Sequence, residues 1–514
     1  MSHGVHAKRF IYLFHRWSGI GFCLLMLLWL VSGVVMLYVG YPKLLPQERL
    51  RALPPLSAPG CCVSAEAALA RSRAPEQVQE LVLTRIGEHW RYRLREGDGT
   101  LQLVDAMTGQ ALPPADDATA LASARAFLPG ASAELQGQVD DDRWTHGRSL
   151  DPHRPLFMVQ MGDAQNTLLY VSSRTGEVVL DAPQAQRYWN FVGAWLHWLY
   201  MFRDGSSDPF WTWLLIALSV LGTLSAIAGA CTGLWRWRFR GRYKSGYRTP
   251  YRNLPMRWHH VAGLTFGTML ILWMFSGIMS MNPVGIFNPG HGRPDIVAYR
   301  QGTPGAVHAT LPPSEALDML QQAGFTASEL EWKVLAGAAY LQAHSADGKS
   351  RLVVQHNNGW AVQESWPDGV LAQAASRLHS ASIESVEFLQ DYDAYYYARH
   401  GASMYAGNER PLPILKLTFS DIGRTQTYID PRTGDVVHSM DRAQRTGRWL
   451  FNLLHSWDLP VFLRAALARD IVIILLTLGA FAIAATGCVI AVRRLQTFRR
   501  QHERKKPVEA QGLQ

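Results

Sequence analysis

The sequence predicts an α-helical membrane bundle of four spans, arranged as two parallel repeats, with two α+β lobes outside the membrane. Three observations predict it. Four runs are strongly apolar, Phe10–Tyr38, Phe210–Trp235, Val261–Met281 and Ile471–Val492, each near the ~20 residues that cross a bilayer. Two long polar stretches, 45–185 and 285–445, alternate with them. The chain also repeats itself: FHRWSGIGFCLLMLLWLVSG at Phe14–Gly33 returns as WHHVAGLTFGTMLILWMFSG at Trp258–Gly277. His15 then aligns with His259, Gly19 with Gly263, Trp29 with Trp273, and Ser32-Gly33 with Ser276-Gly277.

The first span (10–40) has an apolar core too long for a signal-peptide h-region and no small-x-small cleavage site after it, so it is expected to stay as an anchor. The first lobe (45–185) opens on a Pro-rich linker, Tyr41–Pro59. Helices at Ser64–Arg73 and Ala118–Phe127 then alternate with strands at 81–86, 90–95, 101–105, 155–161, 167–172 and 177–180. A histidine-bearing interfacial helix (187–203) leads into the second span (209–237). After a basic loop (238–256) the plan recurs: third span (257–282), second lobe (285–445), interfacial helix (447–463), fourth span (469–493) and basic tail (494–514). The turn Arg174-Thr175-Gly176 returns as Arg432-Thr433-Gly434, and each lies at the same spacing before a histidine, His197 or His455.

Positive charge orients the chain. The loop between Trp235 and Trp258 holds eight Lys/Arg and no acid, and Arg493–Lys506 holds seven with one Glu. Both belong on the cytoplasmic side with Lys8, Arg9 and Arg16, which puts both termini inside and both lobes outside. The surplus that gives the +9 formal charge therefore sits at span ends beside lipid, and no basic face on a soluble module points to nucleic acid. Cys23, Cys231 and Cys488 fall in the spans as packing residues. Cys61 and Cys62 are adjacent and outside, where oxidation is open to them. There is no CxxC or CxxCH, so neither a thioredoxin-like site nor covalent haem attachment is indicated.

The parallel repeat places His15 opposite His259 at the inner level and His197 opposite His455 at the outer level. One interfacial histidine is ordinarily a hydrogen-bonded packing residue. Two facing pairs supply what an iron porphyrin takes, one neutral imidazole on each face. Gly19, Gly21, Gly263 and Gly267 leave room for a flat macrocycle or for close helix packing. His260, next to His259, keeps the ligand assignment open, with the repeat favouring His259. Two bis-histidine haems would carry electrons across the membrane. In the second lobe the run DYDAYYYARHG brings Tyr395, Tyr396, Tyr397, Arg399 and His400 together as a candidate surface for an anionic or aromatic iron chelate, or as packing against the bundle. No GxGxxG between strand and helix suggests a dinucleotide domain; the sequence does not identify the electron donor, for which quinol and a separate cytoplasmic reductase are the candidates.

HRWSGIG at His15, the run at Asp391–Tyr397, RPLP at Arg410–Pro413, YIDPRTGDVV at Tyr428 and RWLFNLLHSWDLP at Arg448 together resemble the PepSY-associated transmembrane family, over about residues 8–495. This family of iron-regulated inner-membrane proteins includes ferric-siderophore reductases. The resemblance implies paired PepSY lobes in the periplasm and two b-type haems held by His15, His259, His197 and His455. It also implies reduction of a periplasmic ferric siderophore or chelate at the bacterial inner membrane. The first lobe departs from the pattern, with Trp144-Thr145-His146 where the second has its tyrosines. The alternative is a PepSY-based periplasmic binding or regulatory protein whose histidines are structural.

Overall fold

The computed structural model describes residues 2–505 except 205–207, 291–292, 307–310, 357–358, 400–402 and 405–409. His400 and residues 506–514 of the basic tail thus lie outside the described residues. Four helices are long and apolar enough to cross a membrane: Val5–Tyr38, Pro209–Arg236, Leu254–Ser280 and Ala466–Gln501. They expose large apolar side chains such as Leu24, Phe210 and Leu475 on their outer faces, as helices solvated by lipid do. The second starts at Pro209, whose missing N–H costs nothing in a first turn, with Asp208 accepting from the Trp211 N–H at 3.2 Å. The first and third spans each pack against the second and fourth. The two spans that carry His15 and His259 are therefore diagonal partners across the bundle, around a core of Met26, Leu30, Met274, Ala480 and Ala484.

Between the spans the chain folds into antiparallel sheets. The first lobe contributes β1 (Glu80–Ile86), β2 (His89–Arg95), β3 (Leu101–Asp105) and β4 (Ala111–Leu112), then β5 (Ala133–Val139), β6 (Leu156–Met161), β7 (Leu168–Ser172) and β8 (Val178–Ala182). The second repeats this as β9 (Glu329–Leu335), β10 (Ala338–His344), β11 (Ser350–His356) and β12 (Gly359–Gln363), then β13 (Ile383–Leu389), β14 (Ile414–Phe419), β15 (Gln426–Ile429) and β16 (Val436–Met440). The lobes are not independent. β1 pairs antiparallel with β9, Leu81 opposite Trp332 and Leu83 opposite Leu330, which fuses the leading halves into one sheet ordered β12-β11-β10-β9-β1-β2-β3-β4. The trailing halves stay separate as β5–β8 and β13–β16, with helices Asp117–Phe127 and Asp368–Ala375 packed on them.

At the β1–β9 seam lies a buried charge network. Arg49 chelates Glu329 at 2.5 and 2.9 Å, Arg93 bridges Glu80 and Glu177 at 2.8 and 2.7 Å, and Lys333 holds Asp435 at 2.6 Å. Each of these charges has an opposite partner, which is the condition for keeping it out of water. Arg49 holds the Glu329 carboxyl down to about 2 against the opposing effect of burial. Cys61 and Cys62 form a disulfide between adjacent residues, beside the core of the fused sheet.

The interfacial helices start and stop earlier than their sequence suggests. Gln184–Asn190 runs into a wide π-turn, Phe191–Trp195, and Arg442–Arg448 runs into another, Trp449–Leu453. Each ends at a left-handed residue, Leu199 (φ 51°) and Trp457 (φ 56°). A π-turn shifts the helix face it precedes and is common where a side chain must be aimed. Here each precedes a histidine, His197 and His455.

Candidate functional site

The structure brings the four repeated histidines together as two pairs. The His15 and His259 rings are 6.2 Å apart between centroids, and so are those of His197 and His455. The inner pair sits on the diagonal first and third spans. The outer pair comes from the two interfacial helices and lies against Ser32 and Ser276 near the other ends of the same spans. From His15 to Ser32 is 17 residues by number, roughly 25 Å along a helix at about 1.5 Å each.

The hydrogen bonds fix which nitrogen is available. His15 Nδ1 lies 3.1 Å from the Ser225 carbonyl and His259 Nδ1 lies 3.0 Å from the Ile483 carbonyl. A carbonyl only accepts, so both Nδ1 atoms carry the proton. The outer pair reaches the same state by another route. The Ser32 hydroxyl gives its proton to the Leu28 carbonyl at 2.6 Å, so its oxygen accepts from His197 Nδ1 at 3.0 Å. Ser276 donates to the Trp273 carbonyl and accepts from His455 Nδ1, both at 3.0 Å. All four rings are therefore Nδ1–H tautomers with the Nε2 lone pair uncommitted, the arrangement that a metal-ligating histidine takes from its outer partners.

His260 is different. Its Nε2 donates to the Gly233 carbonyl at 2.8 Å, and its Nδ1 accepts from the Thr249 hydroxyl at 2.7 Å. Both nitrogens are engaged, so it ties the loop 237–253 to the bundle, whereas His259 keeps its Nε2 uncommitted.

Each pair lines a cavity. The inner one, about 570 Å³, is walled by Gly19, Gly263 and Gly267, where an added Cβ would meet nothing within 4 Å. Gly21, expected beside them, points outward. Arg16, Arg236, Arg493 and Arg494 rim this cavity. The outer one is lined by Trp29, Trp273, Met26 and Met274, with Arg399 and Arg469 as its charged groups. Both are apolar slots with guanidinium groups on the wall.

A porphyrin carrying carboxylates fits this chemistry. Two metal–nitrogen bonds of about 2.0 Å each plus roughly 1 Å from each Nε2 to its ring centre give about 6 Å, the separation both pairs show. Among the described residues no group of three or more His, Cys, Asp or Glu converges.

The aromatic run of the second lobe divides. Tyr396 is fully buried, stacked on Tyr428 at 4.8 Å between centroids, and donates to the Pro411 carbonyl at 2.8 Å. It is a core residue, unlike the surface role considered for it from sequence. Tyr397 donates to Asp458 at 2.9 Å, and Arg399 is ion-paired with the same carboxylate. Tyr395, Tyr397 and Arg399 line an open cleft of about 480 Å³ with Arg410, His438 and Arg448. Arg399, Phe451 and Ser280 border both this cleft and the outer histidine cavity.

In the first lobe Arg143 lies over Phe191 and Trp195, and the His146 ring lies tilted 5.7 Å from that of Tyr200. Sequence reasoning missed Ser32, Ser276, Ser225 and Arg448. The Ser-Gly pair was visible in both copies as a repeat without a role.

Comparison of the chain with protein-family models and with curated proteins gives no match.

Proposed function

We propose that this chain is an inner-membrane, di-haem b-type electron-transfer protein that delivers electrons to a ferric chelate outside the membrane, as ferric-siderophore reductases do. The observation that carries the proposal is the matched geometry of the two pairs: equal separations, and in all four rings an Nδ1–H bond that leaves Nε2 as a neutral donor. His15 and His259 would hold one haem, and His197 and His455 the other. Each bound haem would supply reversible one-electron iron chemistry with no open coordination position, which favours electron transfer over oxygen binding.

The protein's own residues contribute the rest. Ser225, Ile483, Ser32 and Ser276 hold the ring orientations and raise the basicity of the ligating nitrogens. Met26, Trp29, Leu30, Trp273 and Met274 form an apolar cluster between the two levels. The arginines on the cavity walls are suited to haem carboxylates. The resemblance to the PepSY-associated transmembrane family, the outer position of the lobes inferred from the basic loop and tail, and the cleft beside the outer pair all support a substrate that docks on the second lobe. The electron donor, quinol or a cytoplasmic reductase, would act at the arginine-rimmed inner end.

The test is a visible absorption spectrum of the purified protein, oxidised and dithionite-reduced. A reducible b-type spectrum with two haems per chain is expected. Haem-free protein after expression with adequate iron would overturn the proposal and leave a PepSY-based binding or regulatory protein as the reading.

A further inference from the structure

Arg448 is only 4% exposed, yet it lines the open cleft of the second lobe. Its Nη2 donates to the Asp458 carbonyl, while Nε and Nη1 have no hydrogen-bond partner. Its guanidinium lies over Trp449 at 4.3 Å and over Tyr397 at 5.2 Å, and stacking of that kind fixes its plane without satisfying its N–H groups. Among the described residues it makes no ion pair, and no Asp or Glu lines the cleft. Asp458 spends its Oδ2 on Arg399 and Tyr397, and its buried Oδ1, 4.0 Å from Arg469, has no hydrogen-bond partner. Leaving N–H groups of a buried cation unmet is costly, so an anionic acceptor that reaches them from the cleft would be favoured.

The surroundings restrict which acceptor. Arg410 also faces the cleft, and its Nη2 lies 3.4 Å from His438 Nδ1. Burial and the Arg410 charge hold His438 down to about 4, so it is neutral near pH 7. The wall is thus cationic and otherwise polar or aromatic, with Tyr395 and Gln444 at its edge. Guanidinium groups recognise anionic oxygen above other ligand chemistry.

Resting on the electron-transfer reading above, we propose that this cleft selects ferric chelates that present anionic oxygens, carboxylate or catecholate, over neutral hydroxamate complexes, and that Arg448 is the anchor of that selection. Phe451, whose ring is 5.3 Å from that of His455, separates such a chelate from the outer pair.

Gallium(III) complexes test this without electron transfer, because gallium is not reduced. Equilibrium dialysis of the full-length protein in detergent would compare gallium tris-catecholate, gallium citrate, a neutral gallium trihydroxamate and free citrate. The anionic complexes are expected to bind at least about tenfold more tightly than the neutral one and than free citrate. Arg448→Gln should weaken the anionic complexes by about ten- to a hundredfold and leave the neutral one unchanged. Should that buried substitution unfold the lobe, Gln444→Glu is the second variant. Its carboxylate can still accept from the Asp441 N–H as Gln444 does now at 3.1 Å, while placing a negative charge on the cleft wall. It should weaken the anionic complexes several-fold.

Equal affinity for the neutral complex, or for free citrate, overturns the proposal, as does anionic binding that neither substitution alters. Those results would leave a haem spectrum and ferric reductase activity standing. Conversely, haem-free protein that still discriminates among gallium complexes would remove the electron-transfer reading and keep the anion site.

Discussion

Gly229→Ala is the sharpest probe of the inner pair. A Cβ built on Gly229 falls 2.6 Å from His15 Cε1 and 3.0 Å from its Nδ1. Ordinary contact begins near 3.4 Å, so the ring would have to retreat by roughly 0.8 Å, and Nδ1 is already held 3.1 Å from the Ser225 carbonyl. Moving the ring breaks that bond or widens the 6.2 Å separation from His259, and a ligand about 1 Å out of place is enough to lose a preorganised site. Disturbing such an outer-partner bond typically lowers metal affinity about ten- to a hundredfold.

Two neighbouring changes serve as controls. On Gly33 the added Cβ would sit 3.6 Å from His197 Cε1, ordinary contact, and on Gly222 it would meet only the flexible ends of Met274 and Met26. The assay is the haem-to-protein ratio by pyridine haemochrome, with the reduced-minus-oxidised spectrum. Gly229→Ala should lose about half the haem, as His15→Ala should, while Gly33→Ala and Gly222→Ala keep both. A Gly229→Ala protein with two haems and an unaltered spectrum would refute the placement of His15 as a ligand.

Further outcomes follow from the same geometry. His260→Ala should retain both haems and His259→Ala only one, measured by the same ratio, because both His260 nitrogens are already engaged. Tyr396→Phe should cost about 1 kcal/mol through its lost bond to Pro411, and Tyr396→Ala about 3 kcal/mol or more through the cavity left against Tyr428, read by denaturant unfolding.

Burial pushes Glu331 up to about 7, with Asp435 adding to the rise and Lys333 opposing it. A folded value above the ordinary 4.5 means its contribution to stability is full below about pH 4.5 and lost as pH climbs to about 7. Glu331→Gln should therefore stabilise the lobes at pH 8 by about 1 kcal/mol, discounted because 24% of the side chain is exposed, and should change nothing at pH 4. A thermal melt at the two pH values checks it.

The spans and both histidine pairs were legible in the sequence for physical reasons. Bilayer thickness sets an apolar length that can be read directly. A duplicated segment places its histidines at matching levels whatever else drifts. Most strands were legible too, but β4, β12, β5 and β13 were not, the last two being the polar ones. The polar residues of β5 and β13, Gln136 and Gln138 in one and Glu384 and Glu387 in the other, suit edge strands with one wet face and read as loop.

The fusion of the lobes through β1 and β9 was hidden because pairing between strands some 250 residues apart in number leaves no local signature. The π-turns before His197 and His455 left none either, since a widened turn needs no particular residue. Arg448 was noted only within a motif. That its donors lack acceptors is a property of the folded environment.

The shared sheet has a mechanical consequence. Each half of the membrane bundle is continuous in sequence with one side of the eight-stranded sheet, and that sheet is closed across its middle by backbone pairing between β1 and β9. Rocking one half against the other would have to shear that pairing and pull Arg49, anchored to the first half, away from Glu329 in the second. The sheet works as a yoke across the two halves. A carrier that opens alternately to either side needs freedom between its halves, whereas a conductor needs a constant distance between its stations. A yoked frame suits the conductor.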